Sequence, residues 1–100
     1  MLRNSKRKRD LLELAASLRA AELIDQGHSD QSLKLLEEAS IFLPNSARMN
    51  YNRGVALVAD QKYDEAIEAY KKAIDLNSEF PEAFNNLGAA FAAKGLDYFE

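Results

Sequence analysis

Tyr51, Gly54, Ala56 and Leu57 fall close to helical spacing, the polar triplet Asp60-Gln61-Lys62 interrupts them, and Tyr63, Ala66, Ile67, Ala69, Tyr70, Ala73 and Ile74 resume the period. The pattern predicts a helix, a tight turn and a second helix. The same alternation surrounds Gln26-Gly27-His28-Ser29, where Gly27 suits the left-handed conformation that ends a helix and Ser29 is placed to cap the next. Two further joints contain Pro44 and Pro81. Proline lacks the amide hydrogen that a helix interior needs and a first turn does not, so Pro44 stops one helix and Pro81 begins another.

The pattern recurs with a fixed step. Gly54 and Gly88 lie 34 residues apart, and the same step carries Ala20 to Gly54, Leu36 to Tyr70, Ala39 to Ala73, Gly27 to Gln61 to Gly95, and Asn52 to Asn86. A period of this length means stacked units, each contacting its neighbours. The units run 13–46, 47–80 and, in part, 81–100. Small residues at Ala20, Gly54 and Gly88 let the paired helices of a unit approach, and Ser32 and Ala66 answer from the second helix. Leucine at 54 or 66 would wedge the pair apart at a cost of about 1–3 kcal/mol.

Asn86-Leu87-Gly88 and Tyr63-Asp64-Glu65-Ala66, with the aromatic and alanine positions around them, resemble the tetratricopeptide repeat. Arg19 and Arg53 depart from the Leu before Gly, Ser32 from an Ala, and Ser78 from a Pro. The resemblance implies an all-α fold, a right-handed solenoid of antiparallel helix pairs with about two and a half units. It implies a concave face built from the first helix of each unit, which places Ser17 and Ala21, then Arg48, Tyr51, Asn52 and Val55, then Asn85, Asn86 and Ala89 along one groove. Function is expected there, as a scaffold holding a peptide or helix of a partner protein. Asn52 and Asn86 occupy equivalent sites and resemble the asparagine ladder of superhelical members, whose amides donate to and accept from an extended backbone. The carboxylate clamp of chaperone-binding members is not matched. Ser17, Ala21, Glu82 and Asn86 stand where basic or amide residues are wanted, and only Asn52 fits.

The third unit has a first helix expected over roughly 81–94 and then a vestige. Phe84, Leu87 and Phe91, joined by Leu96, Tyr98 and Phe99, form an apolar face that a following helix would normally cover. Such a face suits a longer array, a fold-back of the last six residues, or self-association, and a homo-oligomer through this end is the alternative function.

Charge divides the chain unevenly. Residues 1–9 hold Arg3, Lys6, Arg7, Lys8 and Arg9 and no acid, while the remainder carries a balance of −8 behind an overall charge of −3. A basic flexible leader is expected over 1–9 and the repeat domain over 10–100. Asp10, Glu13 and Arg19 break the apolar run that a signal peptide needs. Without aromatic residues among the charges the leader offers no base-stacking platform, which argues against nucleic acid as a partner. With no cysteine and no long apolar stretch, a cytoplasmic protein without a transmembrane segment is expected. His28 is the one histidine and has no second ligand of its kind, and Glu37-Glu38 and Asp64-Glu65-Glu68 do not face one another as acid and base. The glycines form no phosphate loop. No catalysis, metal, cofactor or small-molecule substrate is therefore expected.

Overall fold

The computed structural model describes the backbone of residues 2–99 and the side chains of residues 5–95. Five helices follow one another: α1 (Leu2–Asp25), α2 (Ser29–Ser40), α3 (Ala47–Ala59), α4 (Tyr63–Leu76) and α5 (Pro81–Phe99). No strand occurs among the described residues. Each helix packs on the next, and α1 meets α3 as α3 meets α5, in an elongated body of 55 × 29 × 18 Å. This is a helical-repeat solenoid of antiparallel pairs.

The turns repeat as the helices do. Gly27 adopts φ 82°, and the His28 amide donates to the Leu23 carbonyl at 2.7 Å, closing the end of α1. Thirty-four residues on, Gln61 takes φ 60° and the Lys62 amide donates to the Leu57 carbonyl at 2.8 Å. The two turns share one helix-ending motif, although the second lacks the glycine that makes it easy. Ser29 does not cap α2. His28 holds the capping position without a side-chain bond, and Ser29 already lies in the helix. Ser46 does cap α3, accepting from the Met49 amide at 3.1 Å while its hydroxyl donates to Glu13 of α1 at 2.7 Å.

The core runs the length of the stack. Ala16, Ala20, Leu36, Ala39, Leu43 and Met49 cluster at the α1–α2–α3 junction. Leu57, Ala66, Ile67, Ala69 and Tyr70 join Ala90 of α5, while Ala73 meets Phe80 and Ala83. Ser32, fully buried, donates to the Ala20 carbonyl at 3.0 Å, so the departure from alanine is satisfied. At Gly54 the neighbour is the Tyr70 ring: a β-carbon built there would lie 2.5–2.8 Å from three of its atoms. Gly88 has the same place in its unit, yet nothing lies within 4 Å of such a carbon. The close approach expected at Gly88 does not occur, because no helix covers that side of α5 among the described residues.

Two ends differ from expectation. Residues 2–9 continue α1 instead of standing apart as a flexible leader, in keeping with the good helix propensity of Arg, Lys and Leu. Gly95 does not turn the chain as Gly27 does. α5 runs through it to Phe99, so the last residues do not fold back, and continuing the helix keeps their backbone hydrogen bonds. The side chains of Leu96, Tyr98 and Phe99 lie outside the described residues.

Candidate partner-binding groove

The first helices of the units, α1, α3 and α5, carry the nine groove candidates. Ser17, Tyr51, Asn52, Val55 and Asn86 are half-buried; Ala21, Arg48, Asn85 and Ala89 are exposed. The division follows from what each touches. The Asn52 amide donates to the Ser17 hydroxyl at 2.9 Å, and the Asn86 amide donates to the Tyr51 hydroxyl at 3.1 Å. Both bonds join residues 35 apart. One repeating hydrogen bond thus ties each unit's asparagine to the preceding unit's hydroxyl, whether serine or tyrosine supplies it. The asparagines hold neighbouring first helices in register, and the Asn86 amide acts on the Tyr70 phenol as well.

Arg48 is also engaged within the fold. Its guanidinium lies over Phe80 at 4.8 Å from the ring centre and over Tyr51 at 5.5 Å. Phe80 in turn packs on Tyr51 with ring centres 5.0 Å apart. The cation is held by two aromatic faces yet stays exposed, so it can still meet an acceptor. Glu82 lies exposed at the start of α5.

Between α3, α4 and α5 the surface opens a concavity of about 190 Å³, lined by Val55, Val58, Tyr70, Asn86, Ala89 and Ala90. Three of these are groove candidates; the tyrosine beneath them is not. Burial pushes the Tyr70 phenol up to about 12, against a smaller opposing effect of the Asn86 amide. Tyr70 fills the core beside Gly54 and also floors the concavity. Phe80 too escapes a reading of first-helix positions, since it precedes α5 in a joint; its one signal is a large aromatic among the polar residues Asn77-Ser78-Glu79.

Of the self-association candidates with described side chains, Phe84 and Phe91 are 51% and 49% exposed, and Leu87 is half-buried against the α4 side of the core. The Lys71 ammonium sits 5.8 Å from the Phe91 ring centre. No described group of His, Asp or Glu converges as metal ligands would, and no described helix is long and apolar enough to cross a membrane.

A family model described as TPR repeat matches residues 56–95, the span from the end of α3 through α4 and most of α5. Protein bimA of Emericella nidulans is 33% identical over 76 residues, covering 75% of this chain and 9% of that protein. The chain therefore carries a tetratricopeptide repeat, and the α1–α2 pair stacks on it as a further antiparallel helix pair. It spans about a tenth of the length of the relative it matches.

Proposed function

We propose that this chain is a protein-interaction module that holds an extended peptide or a helix of a partner protein against α3 and α5. Tetratricopeptide repeats are non-catalytic interaction modules, and the observation that carries the finer reading is the concavity between Val55, Tyr70 and Ala89. It has an apolar floor sized for one side chain, with the Asn86 amide in its wall. Asn85 and Arg48 lie exposed on the same two helices and offer further polar contacts. An apolar anchor flanked by a backbone or carboxylate acceptor suits this arrangement. The module acts without a cofactor or catalysis of its own, in the cytoplasm, and without nucleic acid.

The test uses exposed positions, since the asparagines also hold the fold. Ala89→Glu fills the mouth of the concavity with charge, and Arg48→Ala and Asn85→Ala remove exposed polar groups from the same two helices. Variants that melt like the wild type but lose a captured partner protein support the groove. A partner retained by all three places binding elsewhere. A second reading, self-association through α5, rests on the exposure of Phe84 and Phe91 beside an uncovered Gly88. A molecular mass that rises with concentration and falls back with Phe84→Glu would support it.

A further inference from the structure

α1 presents an apolar stripe that neither the core nor the neighbouring helices use. Ala16, Ala20 and Leu23 point into the fold, whereas Leu11, Leu14 and Leu18 are 59%, 57% and 63% exposed. With Ala21, also exposed, these residues recur at alternating steps of three and four, the spacing of a two-helix seam. The same stripe continues to Arg7 at one end and Asp25 at the other, both exposed. The stripe is self-complementary when reversed. In an antiparallel pair centred between Leu14 and Leu18, Leu14 meets Leu18 of the second copy, Leu11 meets Ala21, and Arg7 meets Asp25. Along one flank Lys8 faces Glu22. A parallel pair would instead set Arg7 beside Arg7 and Asp25 beside Asp25, so charge selects the antiparallel arrangement.

We propose that α1 is the seam of an antiparallel, two-fold dimer between two copies of this chain. Such a pairing is isologous, each copy using the same patch. The seam from Arg7 to Asp25 is about 27 Å long at 1.5 Å per residue. One helix pair of that length gives a modest interface, and the dimer is a weak, concentration-dependent one. Pairing covers Leu14, Leu18 and Ala21 at the α1 end of the groove and leaves α3 and α5 open, so the dimer presents two copies of the α3–α5 surface. The proposal does not depend on the groove reading.

Sedimentation equilibrium of the whole chain from about 1 µM to 1 mM should show a monomer–dimer equilibrium. Leu14→Glu/Leu18→Glu should raise the dissociation constant about 100-fold or more without lowering the melting temperature, since both side chains are exposed. Arg7→Glu should weaken the dimer, and Arg7→Glu combined with Asp25→Arg should restore it. The chain has no cysteine, so single cysteines report register: a mixture of Leu14→Cys and Leu18→Cys copies should cross-link to each other in preference to like copies. A monomer throughout the range would overturn the proposal, as would preferential linking of like copies. A dimer indifferent to Leu14→Glu/Leu18→Glu but lost with Phe84→Glu would also overturn it and place the contact on α5.

Discussion

Alanine at Gly54 and at Gly88 should shift stability in opposite directions, although the two glycines are one period apart in the same helix position. A β-carbon at 54 would stand 2.5–2.8 Å from three atoms of the Tyr70 ring. That ring cannot yield easily: it is 1% exposed and lies against Tyr51 with ring centres 5.9 Å apart. Overpacking of this kind costs about 1–3 kcal/mol. Replacing glycine by alanine inside a helix contributes about 0.5–1 kcal/mol in the other direction. The net loss for Gly54→Ala is then near 1 kcal/mol, or about 4–8 °C in melting temperature for a chain of this length. At Gly88 nothing lies within 4 Å, so only the helix term remains and Gly88→Ala should gain about 0.5–1 kcal/mol. The assay is thermal and urea unfolding followed by circular dichroism. A double-mutant cycle sharpens it, because in a Tyr70→Leu background the obstacle is gone and Gly54→Ala should become neutral or stabilising. Equal stabilisation at both glycines in the wild-type background would refute the claim that the ring, and not the helix, dictates glycine at 54.

Gln61 holds φ 60° in an exposed turn, so Gln61→Gly should raise stability by about 0.5–1 kcal/mol in urea titration, the left-handed penalty exceeding the added freedom of the unfolded chain. The Tyr70 phenol keeps its proton up to about 12 in the fold against an ordinary 10.0. Between those values the unfolded chain binds fewer protons, so this group's contribution is fully present below pH 10 and is lost as pH rises toward 12. Tyr70→Phe should therefore remove a late step from the tyrosinate absorbance titration and flatten the alkaline loss of stability. Asn52→Ala and Ser17→Ala should each destabilise, and the cycle combining them should show a coupling of about 0.5–1.5 kcal/mol, as expected for one net hydrogen bond. Strict additivity would mean that the bond between units contributes nothing.

The period of small and aromatic residues made the stack legible before any coordinates, because each unit repeats the same packing problem and solves it with the same side-chain sizes. Gly27 and Gln61 turn the chain at the same place despite different residues, so the neighbouring helices dictate that turn more than its own composition does. Gly95 occupies the third such place and does not turn, since no described helix packs back on α5 to make the turn worthwhile. Partner choice within the core was less visible. Spacing placed Ala66 opposite Gly54 but could not show that Tyr70, one turn further, turns its ring back onto the glycine. The groove candidates fall on the first helices α1, α3 and α5, but their engagement was not legible, because a hydrogen bond across 35 residues depends on how closely two helices approach. Exposure along α1 was hidden for a related reason: spacing alone does not show that Ala16, Ala20 and Leu23 fill the core while Leu11, Leu14 and Leu18 stay exposed.

The asparagine bonds change which residues can serve binding alone. An amide that donates to the preceding unit fixes the angle and offset between first helices, and so the curvature of the surface that a partner meets. Under the proposed function, substituting Asn52 or Asn86 would therefore act on stability and recognition together, and a lost partner would not separate the two. Arg48 lies between these extremes, since its guanidinium sits over Phe80 and Tyr51 while the residue stays exposed. Ala21, Asn85 and Ala89 lie exposed, so changes there alter what the surface offers more than how the units stack. On the proposed reading the work is divided by depth: half-buried residues set the spacing of the helices, and exposed residues on α3 and α5 offer the chemistry that a partner would read.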